Sequence, residues 1–170
     1  MIKDDFIPEE TTSTFEYDYE PERHNPMPNR IHGHIQQNIG FELKLNFGDK
    51  FNIESEVTLD TQPKSSTPDI CIFPKRELRL KDVQAKSTEM PLTTIEIQSP
   101  SQAPEDLVTK AWEYYFPAGV RSAWVVIPSL KAIRIVLPDG QNLIYFNGMA
   151  SDPTNGVAVS VEKVFEGVEW

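Results

Sequence analysis

Cysteine is almost missing from this 170-residue chain: Cys71 stands alone, so no disulfide can form within it. Cys71 sits in a run of β-branched and aromatic residues and reads as a small core residue, since no triad spacing accompanies it to make a nucleophile. Long apolar runs are absent too, so no segment has the length to cross a bilayer. The start, Met1-Ile2-Lys3-Asp4-Asp5, lacks a signal-peptide pattern, and a cytoplasmic protein without membrane contact is the expectation. Neither phosphate-loop glycine pattern occurs, which leaves nucleotide hydrolases and dinucleotide-binding enzymes without support. Internal repeats and low-complexity tracts are lacking. So is any excess of positive charge: 16 Lys and Arg face 26 Asp and Glu, for a net charge of −10. Eight of those acids, against the single base Lys3, fall in the first 22 residues, so that segment carries −7 and the remainder only −3. The basic surface of a dedicated nucleic-acid binder is therefore absent, which counts against tight nonspecific affinity. It does not exclude an active site in which a metal meets phosphate.

What is present suits one soluble domain, with 39% hydrophobic and 25% charged residues. Residues 1–29 are acidic and punctuated by Pro8, Pro21, Pro26 and Pro28, and read as an extended arm with one strand at Thr14–Tyr19. Residues 30–170 form the folded domain. Ile35, Ile39, Leu43 and Leu45 roughly follow helical spacing and predict a helix from Arg30 to Leu45, ended by Asn46-Phe47-Gly48-Asp49. Phe51 to Leu59 alternates as a strand, with Phe51, Ile53, Val57 and Leu59 on one face and Glu54, Glu56 and Thr58 on the other. A strand from Pro68 to Phe73 follows the polar loop 60–67, and a second runs from Thr94 to Ser99. The basic stretch 75–81 between them reads as a solvated loop, or as the one local surface that meets a phosphate backbone. Pro104 opens a helix to Phe116 whose core face is Leu107, Ala111 and Tyr114, with Lys110 on the same inward side. Strands at 122–127, 132–137 and 143–146 have the spacing of antiparallel hairpins, and 157–161 is a last strand-like stretch. Trp112 and Trp124 read as core residues. His32 and His34, near the first helix start, read as structural or surface residues, with phosphate contact as the functional alternative.

The chemistry gathers on two short strands. Asp69 and Glu96 are carboxylates in apolar surroundings, where a charge is costly unless something positive meets it. Glu96 and Gln98 share one face of their strand while Ile95 and Ile97 hold the other in the core. Carboxylate oxygens gathered in this way suit a hard octahedral cation such as Mg²⁺ or Mn²⁺. A lysine beside such an ion can orient or deprotonate water.

Pro68-Asp69, Glu96-Ile97-Gln98-Ser99-Pro100-Ser101, Asp106, Lys110, Tyr114, Gly119-Val120 and Trp124-Val125-Val126, in this order and spacing, resemble the Uma-two family. That is a restriction-endonuclease-like group within the PD-(D/E)xK nuclease superfamily. The likeness runs from about His32 to Phe165, and residues 159–165 are similar to the family's closing segment. The resemblance implies an α/β (α+β) fold, a restriction-endonuclease-like mixed central β-sheet flanked by helices. It also implies a metal-dependent endonuclease using Mg²⁺ (or Mn²⁺) on a nucleic acid, expected to be DNA. Asp69 and Glu96 would be metal ligands, with Glu54 as third acid and Glu56 as its alternative on the same face. Where the superfamily has the lysine of Glu-x-Lys, this chain has Gln98, and Lys110 from the following helix looks like the replacement. Gln98 can offer a metal or a water its carbonyl oxygen but cannot act as a base. Restriction enzymes of this kind act on two strands, which accords with a homodimer. The missing Glu-x-Lys lysine and the acidic charge support a second expectation, a non-catalytic binding or assembly module on the same scaffold.

Overall fold

A computed structural model describes residues 29–170; the acidic arm up to residue 28, with its expected strand at Thr14–Tyr19, lies outside them. Helix α1 (Arg30–Phe47) begins at Asn29, whose side-chain oxygen accepts the His32 N–H at 3.0 Å and so satisfies an orphan donor of the first turn. His32, Ile35, Ile39 and Leu43 form its buried stripe, one residue per turn on the side facing the sheet. Leu45, expected on that stripe, is exposed, because two residues beyond Leu43 is more than half a turn around the helix.

Among the described residues, six strands form one sheet in the order β1 (Phe51–Ser55), β2 (Ile70–Pro74), β3 (Thr93–Ile97), β4 (Ser122–Ile127), β5 (Ala132–Val136), β6 (Asn142–Tyr145). All neighbours are antiparallel except β3 and β4, which run parallel. A parallel pair needs a crossover, and α2 (Pro104–Lys110) supplies it between β3 and β4. This is the mixed sheet flanked by helices that the family resemblance implies. The expected hairpins at 122–146 form as antiparallel neighbours, and a small second sheet of β7 (Met149–Ser151) and β8 (Ala158–Ser160) leads into α3 (Val161–Val164). Sequence periodicity did not single out β7, which is only three residues long.

Strand β1 ends at Ser55 instead of continuing to Leu59. Glu56 has a φ of 54°, a left-handed conformation unusual for a residue with a side chain, and its N–H turns to the Asp69 carbonyl at 3.1 Å. Leu59 still reaches the core, but through isolated bridges to Ser66 and Ser87.

The two faces of the sheet differ. One packs Ile53, Ile70, Ile72, Ile95, Ile97, Trp124, Val126, Ile133 and Ile135 against the stripe of α1 and the C-terminal segment. The other packs Cys71, Phe73 and Ala123 against Ala111, Tyr115 and Leu59, and Val125, Ile127 and Val136 against Leu107 and Val108 of α2. Glu96 lies between Ile95 and Ile97 in β3 and therefore belongs to this second face. The basic stretch 75–81 is exposed throughout; Lys75 donates to the Gly48 carbonyl at 2.7 Å and Arg76 pairs with Glu89 at 2.8 Å.

Candidate active site

Helix α2 opens with Pro104, whose missing N–H costs nothing in a first turn, and the Asp106 carboxylate accepts the Ala103 N–H at 3.0 Å. After Lys110 the helix widens into a π turn, Ala111–Tyr115, in which the Phe116 N–H reaches the Ala111 carbonyl at 2.9 Å. The extra residue per turn brings positions five apart onto one side. Lys110 and Tyr115 both face inward, so Tyr115 takes the core place expected for Tyr114, which is half-buried. Trp112, expected in the core, is 43% exposed on the outer side, with its ring set edge-on to Phe116 at 5.0 Å.

Both inward groups meet Glu96. Lys110 Nζ lies 2.6 Å from Glu96 Oε1, and the Tyr115 hydroxyl donates to the same oxygen in a short hydrogen bond. All three side chains are buried. Burial is the main influence on Glu96 and pushes its carboxyl above the ordinary range; the Lys110 charge opposes this and the Asp69 charge adds to it.

Continuing the β2–β3 register by one rung places Asp69 opposite Glu96. Asp69 is 2% exposed, its Oδ2 accepts the Ile97 N–H at 2.7 Å, and His32 Nε2 stands 3.1 Å from the same atom. His34, by contrast, is exposed and bonded to the Glu166 carbonyl at 2.8 Å, a structural contact. Gln98 follows the end of β3; its amide nitrogen donates to the Gln102 carbonyl at 2.6 Å, so what it can offer the site is its carbonyl oxygen.

Cys71 reports how the charges converge. Burial pushes its thiol well above the usual range, and the charges of Glu96, Glu54 and Asp69 push the same way while Lys110 opposes them. Glu54 is Cys71's cross-strand partner and so shares its face, but it also lines a cavity of about 520 Å³ with Lys44, Lys75 and Arg76. His32 and Gln98 line a different cavity, of about 580 Å³, with Arg30, Ser99 and Lys131. Glu56 is exposed beyond the end of β1. The structure therefore brings Asp69, Glu96 and Lys110 together, leaves Glu54 along the face, and puts Glu56 off the strand. Among the described residues, no three His, Cys, Asp or Glu side chains are grouped to enclose a metal ion.

Two partners in this cluster were not assigned their roles from the sequence. Tyr115 carried no signal, because nothing in a local pattern announces a π turn. His32 did carry one, since it precedes Ile35 by three residues on the buried stripe of α1.

Among the described residues no helix is long and apolar enough to cross a membrane. No curated protein matches the chain. Among solved structures, a "putative nuclease belonging to DUF820" from Anabaena variabilis ATCC 29413 shares this fold, with a TM-score of 0.67 and 18% identity over 83% of each chain. The Uma2 family model, described as "Putative restriction endonuclease", matches residues 6–169, and the chain belongs to that family.

Proposed function

We propose that this protein is a metal-dependent endonuclease that hydrolyses phosphodiester bonds in DNA. The observation that carries this reading is the buried Lys110, bonded at 2.6 Å to Glu96 with Asp69 alongside. A buried ion pair is poor at stabilising a fold, because desolvating two charges offsets their attraction. Its placement opposite a second buried carboxylate, where β3 ends, accords better with chemistry than with stability.

The donor set fits a small hard cation. Two neighbouring carboxylates suit Mg²⁺, which takes one or two carboxylates and completes its octahedron with water and substrate phosphate. Asp69 and Glu96 would hold the ion. Bound there, it would supply charge neutralisation at the phosphate and acidify a coordinated water. Lys110, as a positioned cation, orients the attacking water and meets the charge that grows on the phosphate. Tyr115 fixes the Glu96 oxygen that Lys110 holds. Gln98 accepts a hydrogen bond from water through its carbonyl oxygen.

The test is nicking or cutting of supercoiled DNA in Mg²⁺ or Mn²⁺, with an RNA of matching sequence as a second substrate. Asp69→Ala and Glu96→Ala should each abolish cleavage while circular dichroism stays unchanged. Cleavage that persists in a highly purified Asp69→Ala/Glu96→Ala double variant refutes the assignment.

One observation favours the second reading, a non-catalytic module: Glu96 is already held by a lysine and a tyrosine, as in a closed structural network. Calorimetry separates the two, since a folded protein that takes up no Mn²⁺ at millimolar concentration is not this nuclease.

A further inference from the structure

His32 is 5% exposed, which is unusual for a histidine in the first turn of a surface helix. Its main chain is pinned by the Asn29 cap, and the side chain reaches across to Asp69. Nδ1 is shut off from solvent and has no partner among the described residues. A buried bare lone pair is tolerated better than a buried orphan N–H, so the proton belongs on Nε2, which donates to Asp69 Oδ2. The Ile97 N–H donates to that same oxygen from the far side, and Gln36 holds the Asp69 carbonyl at 3.1 Å. Two donors on one carboxylate oxygen, one from the sheet and one from α1, fix the rotation of the carboxyl group. Oδ1 stands outside both contacts.

We infer that His32 is a positioning residue of the proposed metal site: it turns Asp69 so that Oδ1 faces the cation, and it does not itself ligate. The inference rests on the metal-site reading above. Helix α1 thereby acquires a part in the chemistry although it packs on the opposite face of the sheet from Lys110. Partners that orient a ligating side chain commonly change metal affinity by about 10–100-fold when removed.

The experiment is Mn²⁺ titration calorimetry on the full chain, with thermal melts as the control for folding. His32→Leu fills the space without a donor and should weaken Mn²⁺ binding by roughly 10–100-fold. His32→Gln places an amide N–H near the position of Nε2 and should restore most of the affinity. Electron spin-echo spectra of the bound Mn²⁺ should show no directly coordinated imidazole nitrogen. Wild-type affinity in His32→Leu overturns the inference, as does a coordinated imidazole, or equal loss in two folded variants. Should His32→Leu fail to fold, His32→Gln decides alone: near-wild-type binding supports the inference and a loss beyond about 10-fold overturns it. If wild type binds no Mn²⁺, or Asp69→Asn binds it unchanged, the metal site itself is refuted and the inference falls with it.

Discussion

Glu96 is the residue on which the cluster turns, and its protonation couples folding to pH. Burial first, and the Asp69 charge after Lys110's opposing one, hold its carboxyl above the ordinary range. The folded state therefore keeps the Glu96 proton more tightly than the unfolded chain does, where the group titrates near ~4.3. Its contribution to stability is fully present below that unfolded value and is lost as pH rises through the higher folded one. In metal-free protein, the urea stability of wild type relative to Glu96→Gln should thus decline on going from about pH 4 to pH 8. A difference that stays flat across that range contradicts the burial argument. Residue type made Asp69 and Glu96 conspicuous in the sequence, because each is a lone carboxylate among β-branched neighbours. Their partners were another matter: Asp69 is met by His32, 37 positions earlier in the chain, and no local pattern encodes that pairing.

At the scale of the element, the helix after β3 decides the site. Its start was legible in Pro104 and its inward face in Leu107 and Ala111. Periodicity of 3.6 then selects Tyr114, whereas the π turn selects Tyr115. The consequence is measurable. Tyr115→Phe removes a buried hydrogen bond to Glu96 and should cost about 1–3 kcal/mol by urea unfolding. Tyr114→Phe should cost clearly less; the reverse order would mean that the turn is an ordinary α-turn. Strand β1 gives a similar lesson. Its alternation continues past Ser55 on paper, but the left-handed Glu56 breaks the ladder where the chain crosses to the Asp69 carbonyl.

Across the whole molecule, another buried acid ties the C-terminal hairpin to the sheet. Asp152, in the turn after β7, is 1% exposed. Its Oδ2 accepts from Trp124 Nε1 at 2.8 Å and from the Ser122 hydroxyl in a short hydrogen bond. Its Oδ1 accepts from the Thr154 N–H at 2.8 Å and hydroxyl at 2.6 Å. These bonds join the start of β4 to a segment almost thirty residues on, next to the core that α1 covers. Asp152→Ala strands the buried indole N–H, while Ser122 keeps Thr93 as a partner and the exposed Thr154 turns to water, and should cost about 1–3 kcal/mol. Tryptophan fluorescence would follow the loss, while Mn²⁺ affinity of the folded fraction should not change. A shift in metal affinity would show that the hairpin and the candidate site are coupled.

Local spacing by itself determined a great deal here: the α1 stripe at Ile35, Ile39 and Leu43, the alternation that puts Glu96 opposite Ile95 and Ile97, and the apolar runs of β4 and β5. Each is written within a single element, where the period of the backbone dictates which side chains share a face. The tertiary structure alone decided that His32 meets Asp69, that Tyr115 replaces Tyr114, that Glu54 opens onto a second cavity and that Asp152 anchors the hairpin. Those outcomes depend on strand order, on one extra residue in a helical turn and on which distant donor arrives at a buried carboxylate. A carboxylate removed from water must find a partner, but where that partner lies in the chain is settled only when the elements pack.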